Sequence, residues 1–180
     1  MPSIINLNMH ENCNVYVAKQ PIFDTNKNTV AFELLYRNSS DNRYPSGVSH
    51  IDATKLILAE QFLSSTGTFL EGRDGFINFD VEALRERLVF NFPAEKIVVE
   101  ILETCSPDDE LFDIVLELHQ AGYRIALDDF VPSTEWERFY PFVDIIKIDI
   151  QECSLLKASF FYRSYETFKH NLYRRKGRNV

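Results

Sequence analysis

The chain opens with two segments in which hydrophobic and polar residues follow strand-like patterns. Residues 15–23 and 29–36 predict two strands, and the stretch Asp24-Thr25-Asn26-Lys27-Asn28 between them consists of turn-forming residues. Because this connection is much shorter than a parallel crossover requires, we expect an antiparallel hairpin. A polar loop over 38–47 then separates the hairpin from the rest of the chain.

Beyond the hairpin, helix-like and strand-like patterns alternate. The clearest helix begins at Asp108-Asp109, carries apolar residues at helical spacing from Leu111 to Leu118, and stops at Gly122. The complete prediction has strands over 75–80, 96–102, 124–127 and 144–148 and helices over 51–64, 81–88, 108–121, 134–142 and 161–172. This alternation indicates an α/β fold with a parallel sheet and helices outside it, either as an open sheet or as a (β/α)8-type barrel.

Acidic side chains lie at the ends of these apolar strands. The residues concerned are Glu33, Glu100, Glu103, Asp128, Asp129 and Asp149. Burial of ionised carboxylates is costly, and several that meet at one edge of a sheet repel one another unless a cation compensates them. Oxygen-rich sites of this kind suit Mg²⁺, Mn²⁺ or Ca²⁺. The placement favours the barrel, whose functional groups gather at the C-terminal rim, although the predicted strands leave it about two βα units short of closure.

Composition narrows the class of protein. The 180 residues are 45% hydrophobic, which suffices for the core of one domain, and the net charge of −8 argues against a general nucleic-acid-binding protein. Three cysteines without zinc-like spacing and the lack of a long apolar run indicate a reduced, cytoplasmic protein with no membrane span. Residues 1–14 are expected to form a loosely ordered lead-in, and residues 15–180 a single barrel domain.

Six short motifs occur in an order that resembles the EAL domain, a family of bacterial cyclic-di-GMP phosphodiesterases and their inactive relatives. The motifs are Gln20-Pro21-Ile22, Glu33-Leu34-Leu35-Tyr36-Arg37, Asn78, Glu100-Ile101-Leu102-Glu103, Asp128-Asp129-Phe130 and Lys147-Ile148-Asp149. The sequence around Val131-Pro132-Ser133 is most similar to the branch of the family that is fused to an HDOD domain. The resemblance implies a modified TIM barrel with one antiparallel strand near the N-terminus, which agrees with the predicted hairpin.

The resemblance also implies roles for individual residues. One Mg²⁺ or Mn²⁺ would be held by Glu33, Asn78, Glu100 and Asp128. A second ion would be held by Asp128 and Asp129. Lys147 and Asp128 would be the catalytic residues, with Lys147 positioning or deprotonating the attacking water. Gln20, Arg37 and Asp149 would lie against the substrate, with Arg37 on a phosphate. Glu103 would anchor the loop that follows Asp128-Asp129-Phe130.

The sequence departs from the family pattern in three places. Leu34 replaces an alanine of the signature, and a change in packing alone is expected. Val131 and Pro132 stand where the family has a glycine-containing flexible loop, and both residues stiffen it. A further glutamate on the family's next strand and a glutamine from its last strand have no counterpart before Val180.

These departures lead to the expectation of a barrel truncated after about six strands that is catalytically inactive and acts by binding nucleotide or protein. The alternative is an active, metal-dependent phosphodiesterase that converts cyclic di-GMP to the linear dinucleotide. An unrelated metal-dependent enzyme on a similar barrel is a further alternative. Because the open barrel edge exposes backbone groups, self-association or a protein partner that covers it is expected. Nucleic acid and membrane are not expected partners.

Overall fold

The computed structural model describes residues 3–9, 13–37, 70–149, 154, 156–163 and 165, and covers only the backbone for 3–9, 13–16, 36 and 37. The helix predicted over 51–64 lies outside the described residues. The helix predicted over 161–172 begins earlier than expected, because residues 156–163 are helical, and its later part lies outside the description. Among the described residues, no helix has the length and apolar character that crossing a lipid bilayer demands.

The described part of the chain is organised around one curled sheet whose strands follow in chain order. The strands are β1 (Ser3–Met9), β2 (Cys13–Phe23), β3 (Thr29–Arg37), β4 (Asp74–Phe79), β5 (Ile97–Ile101), β6 (Arg124–Leu127) and β7 (Ile145–Ile146). β2 pairs antiparallel with β3, as the short turn predicted, and each later strand pairs parallel with its predecessor. The predicted hairpin and the α/β barrel-type sheet are therefore confirmed.

The N-terminal residues correct one expectation. Ser3–Met9 form strand β1 and pair antiparallel with β2, whereas a loosely ordered lead-in was predicted for this segment. The signal that was missed is an alternation of apolar Ile5, Leu7 and Met9 with polar residues, which is the period-two pattern of a strand. The described sheet consequently has seven strands instead of the six predicted.

Two of the described α-helices pack on the outer face and follow an aspartate cap. α1 (Val81–Arg85) is capped by Asp80, whose carboxylate accepts the Ala83 N–H, and α2 (Asp109–Gln120) is capped by Asp108, which accepts the Leu111 N–H. Gly122 has φ +87°, so it provides the left-handed residue that lets the chain leave α2.

Two predicted helices are shorter in the structure. α1 ends at Arg85 and is followed by the 3₁₀ turn Leu88–Asn91, because Arg87 adopts φ +57° and interrupts the helix. The prediction of one α-helix over 134–142 is wrong, because the structure has two 3₁₀ turns there, Thr134–Trp136 and Tyr140–Phe142. Pro141 lacks the N–H that a continuous α-helix would need there.

The two faces of the sheet bury different side chains. The outer face packs large residues such as Phe79, Ile101 and Leu127 against α2 and the 3₁₀ turns. The inner face carries a smaller apolar cluster, here named the floor layer, which consists of Ile22, Ala31, Phe76, Val98, Ala126 and Ile145. The floor layer lies inside the curl of the sheet. It supports the side chains in the next layer, at the C-terminal ends of the parallel strands.

Candidate metal centre

The polar motif residues form the layer directly beyond the floor layer. Each lies two positions from a floor residue on the same strand or its extension, and together they are named the rim layer: Gln20, Glu33, Asn78, Glu100, Asp128 and Lys147. Because side chains two positions apart point to the same face of a strand, one alternation places all six on the inner face. The register supports this, since Gln20 lies opposite Glu33 and Asn78 opposite Glu100.

Backbone hydrogen bonds continue the parallel ladder past the ends of β6 and β7 and fix the last two rim residues. The Asp128 N–H donates to the Ile101 carbonyl at 3.0 Å, and the Lys147 N–H donates to the Leu127 carbonyl at 2.9 Å. The Phe130 N–H in turn donates to the Lys147 carbonyl at 2.8 Å. The main chain at Asp128 and Lys147 is therefore held as firmly as that of the strands.

Three rim carboxylates converge in what we name the primary cluster: Glu33, Glu100 and Asp128. One oxygen from each lies within 4.8 Å of the other two. Glu100 is fully buried, with 0% of its surface exposed, while Glu33 and Asp128 are mostly buried. Asn78 adjoins the cluster, because its Nδ2 lies 3.5 Å from Glu33 Oε1. The structure thus brings together the four residues that were expected to hold one metal ion.

The primary cluster fits a hard divalent cation. Its donors are carboxylate oxygens with a neighbouring carboxamide, which is the ligand set that Mg²⁺, Mn²⁺ and Ca²⁺ prefer. Among the described residues, Glu100 Oε2 is buried and has no hydrogen-bond partner, although buried polar atoms normally have one. Glu33, Asn78, Glu100 and Asp128 could therefore hold an ion.

Lys147 reaches into the same cluster. Its Nζ lies 2.5 Å from Glu100 Oε1, 2.7 Å from Asp128 Oδ1 and 3.5 Å from Glu33 Oε2. Burial disfavours the ammonium, but the surrounding carboxylates outweigh it and raise the Lys147 pKa above its ordinary value, so the side chain stays protonated. Burial likewise raises the pKa of Glu100 to about 8, against the opposing effect of Lys147 and with a contribution from the charge of Glu33.

A second group of carboxylates shares Asp128 with the first. Oxygens of Glu103, Asp128 and Asp129 also lie within 4.8 Å of one another, and they line a cavity of about 130 Å³ together with Phe130 and Trp136. Burial and then the charge of Asp128 raise the Asp129 pKa. Asp129 has φ +40°, a left-handed conformation that few residues other than glycine adopt, so the backbone is strained where the paired aspartates turn.

The sequence predicted that Glu103 anchors a loop, and the structure groups its carboxylate with the candidate metal ligands Asp128 and Asp129. It is exposed and follows β5 by two residues, so its side chain meets the aspartate turn from the neighbouring strand end. The pair Asp128-Asp129 alone was expected at a second ion. The third acidic side chain in this group is the contribution that the sequence did not predict.

The expected substrate-side residues are placed less closely. Gln20 is exposed on β2, opposite Glu33. Arg37 ends β3, and only its backbone is described. Asp149 is partly buried two residues beyond Lys147, and its charge contributes to the raised pKa of Asp129.

Aromatic packing behind the aspartate turn is a further feature that the motifs did not indicate. Phe130 is 3% exposed, and its ring packs against Phe161 at 5.4 Å, Trp136 at 5.7 Å and Tyr140 at 6.2 Å between ring centroids. These contacts hold the residue after Asp129 in the core. The clustering of aromatic residues after position 129 is the only sequence signal for this support.

The fold and the rim together define a β/α barrel-type protein with an oxygen-rich cluster, a candidate site for divalent cations, at the C-terminal ends of its strands. Comparison with known proteins agrees with this class. Over 149 residues the chain is 48% identical to the cyclic di-GMP phosphodiesterase CdgJ of Vibrio cholerae, a match that covers 82% of this chain and 34% of CdgJ. No protein-family model matches the chain.

Two solved structures have the same fold. Bacillus subtilis YkuI, which has an EAL domain and was solved with cyclic di-GMP and calcium, superposes with a TM-score of 0.50 at 21% identity, over 89% of this chain and 45% of YkuI. Klebsiella pneumoniae BlrP1, solved with manganese and cyclic di-GMP, gives a TM-score of 0.52 at 20% identity, over 84% of this chain and 44% of BlrP1. The 48% identity to CdgJ, together with the six ordered motifs, shows that the chain belongs to the EAL family, and it spans about a third of the length of CdgJ.

Proposed function

We propose that the rim layer is a divalent-metal-dependent site for cyclic di-GMP and that it hydrolyses one phosphodiester bond to give the linear dinucleotide. The observation that carries the proposal is the convergence of Glu33, Glu100 and Asp128 within 4.8 Å at the strand ends. The 48% identity to CdgJ supports the choice of substrate, and the EAL fold supports the choice of rim.

The chemistry follows from the residues of the rim. Divalent ions at such a site supply positive charge to the phosphate oxygens and to the attacking water. Lys147 is proposed to donate a hydrogen bond that orients the attacking water, and Asp128 is proposed to accept a proton from that water. Attack at phosphorus breaks one ester bond, so the reaction consumes one water and opens the ring of the dinucleotide. The floor layer beneath excludes bulk water from the buried carboxylates.

The residues around the rim would orient the dinucleotide. Arg37, at the end of β3, is proposed to bind a phosphate through its planar guanidinium. Gln20 lies on the neighbouring antiparallel strand, opposite Glu33, and Asp149 follows Lys147. Asp129 and Glu103 are proposed to complete a second ion site with Asp128.

A second candidate is the form expected from the sequence, which binds nucleotide or protein without hydrolysis. The observation that favours it is the ammonium of Lys147, which forms ion pairs with all three carboxylates of the primary cluster. A lysine in this position compensates the buried charge without a metal ion. Such a rim would keep its shape for ligand binding while catalysis is lost.

Direct assay separates the two candidates. The purified chain is incubated with cyclic di-GMP with and without Mn²⁺, and the linear dinucleotide is measured by chromatography. We expect product only with Mn²⁺, loss of at least 100-fold in rate for Glu33→Gln, and an unchanged rate for Glu95→Gln, which alters an exposed glutamate outside the rim. Binding of cyclic di-GMP without product would support the second candidate, and neither product nor binding would refute both.

Two further expectations belong to the proposal. A cytoplasmic location is proposed, because the number of cysteines is odd and the proposed ligand is the nucleotide cyclic di-GMP. Contact with a second copy or a protein partner is proposed at the sheet edge, since β1 and β7 are the outer strands of the described order. Light scattering coupled to size-exclusion chromatography measures the mass in solution, and a mass of one chain at micromolar concentration would argue against self-association.

A further inference from the structure

The contacts of Lys147 point to a role beyond catalysis. We propose that Lys147 and a divalent ion exchange at the primary cluster: the ammonium compensates the three carboxylates when no ion is bound and withdraws from them when an ion binds. This inference rests on the proposed metal site and specifies how that site is kept ready.

Lys147 Nζ lies against the same three side chains that a bound ion would contact. The Nζ of Lys147 contacts oxygens of Glu100, Asp128 and Glu33 at 2.5, 2.7 and 3.5 Å, and these are the same three side chains that converge within 4.8 Å. A cation that contacts all three carboxylates must use the space between their oxygens. The ammonium already contacts that space from the side of β7, so the two cations compete for one set of oxygens.

Charge repulsion within the primary cluster favours a nearby cation. Glu100 is fully buried, and like charges within 4.8 Å repel strongly where water is excluded. A positive charge beside the cluster therefore stabilises its ionised carboxylates. One ammonium partly offsets the three carboxylates, and a divalent ion offsets them better. Two cations side by side would repel each other, so arrival of the ion drives the ammonium away.

The Lys147 side chain can move while its backbone stays in place. The Lys147 backbone is fixed on both sides, because its N–H donates to Leu127 and its carbonyl accepts from Phe130. Its side chain, by contrast, is 31% exposed and has a flexible four-carbon stem, so the ammonium can swing toward solvent without any movement of the sheet. Exchange is thus a side-chain rotation at a rigid rim, and Lys147 stays close enough to meet a substrate water afterwards.

The test measures Mn²⁺ affinity of the whole chain by isothermal titration calorimetry. Lys147→Met removes the competing charge and keeps the length of the stem. We expect it to bind Mn²⁺ at least tenfold more tightly than the wild-type chain, since a unit charge a few ångströms from a divalent ion is worth more than one order of magnitude in affinity. Lys96→Met, at an exposed lysine away from the rim, should bind Mn²⁺ as the wild type does.

The outcomes also separate this inference from the proposed function. Equal or weaker Mn²⁺ binding by Lys147→Met, with intact binding and turnover by the wild type, would overturn the exchange and leave the phosphodiesterase proposal standing. Binding by Lys147→Met alone would support the exchange, since the lysine would then block the site. Absence of binding by every variant would overturn both.

A second measurement on the wild-type chain covers the case in which Lys147→Met does not fold. Reductive methylation followed by mass spectrometry reports how accessible each lysine is. Exchange predicts that Mn²⁺ increases labelling of Lys147 severalfold, while exposed Lys157 changes little. Unchanged or reduced labelling of Lys147 at saturating Mn²⁺ would contradict the withdrawal of the ammonium.

Discussion

Replacement of Tyr123 by phenylalanine removes one buried hydroxyl and little else. The side chain is 6% exposed, and its hydroxyl lies 2.6 Å from the Phe92 carbonyl and 3.0 Å from the Val89 carbonyl. The ring itself packs edge-on against Phe90, a contact that phenylalanine retains. The hydroxyl ties the 3₁₀ turn before β5 to the start of β6, so the change tests how the strands that carry Glu100 and Asp128 are braced.

The expected loss is that of one hydrogen bond. The hydroxyl proton makes one net hydrogen bond, worth about 1 kcal/mol, and the Val89 carbonyl keeps the bond that it accepts from the Phe92 N–H at 3.0 Å. We therefore expect Tyr123→Phe to lower the free energy of unfolding by about 1 kcal/mol. For a chain of this size that corresponds to a fall in Tm of roughly 2–4 °C.

The loss should also depend on pH in a definite direction. Burial, with a contribution from Glu95, raises the pKa of the Tyr123 hydroxyl in the folded protein. The unfolded chain then loses its phenolic proton first as the pH rises above about 10. The stabilisation is complete below that pH and declines above it, so the difference between wild type and Tyr123→Phe should shrink at alkaline pH.

Urea unfolding followed by circular dichroism at pH 7 and at pH 10.5 measures both effects. Tyr162→Phe is the matched control, because Tyr162 is 61% exposed and its hydroxyl removal should change stability by less than about 0.5 kcal/mol. A loss for Tyr123→Phe no larger than that of the control would refute the reasoning. A difference that grows at pH 10.5 would contradict the sign of the pKa shift.

Three further changes test the helix cap, the floor layer and the aspartate turn. Asp108→Ala should cost about 1 kcal/mol in urea unfolding, because the Leu111 N–H loses its 2.9 Å acceptor at the start of α2. Ala126→Leu should cost about 1–3 kcal/mol and weaken Mn²⁺ binding in calorimetry, because the fully buried floor residue has no room for added methylenes below Asp128. Asp129→Gly should leave stability within about 1 kcal/mol of wild type while weakening Mn²⁺ binding, since glycine accepts φ +40° without strain but supplies no carboxylate.

Local patterns were sufficient to predict much of the fold. The turn after β2 was predicted from its residue types, and in the structure the Asp24 carboxylate accepts the backbone N–H groups of Asn26 and Asn28 at 2.8 Å each. Gly122 ends α2 as expected. Residues 134–142 were misjudged, because apolar spacing suits a helix or two 3₁₀ turns equally well, and Pro141 with the aromatic packing decides between them.

The candidate site was likewise predicted in part from local patterns, and in part depends on the three-dimensional fold. Strand-end positions were sufficient to predict that Glu33, Glu100 and Asp128 would meet, because parallel strands deliver their C-terminal residues to one rim. The direction of long side chains was beyond such reasoning. That Lys147 contacts all three carboxylates and that Glu103 joins Asp128 and Asp129 depends on the curl of the sheet and on rotamers, which no single segment of sequence specifies.

The spread of the rim carboxylates along the chain also has a consequence for folding kinetics. Glu33, Glu100 and Asp128 reach one another only after β3, β4, β5 and β6 have paired in parallel across long crossovers. Such distant pairings form late, so an ion has little to bind in the transition state for folding. A bound divalent ion should therefore leave the refolding rate almost unchanged and slow the unfolding rate, because the ion stabilises the native state and not the transition state.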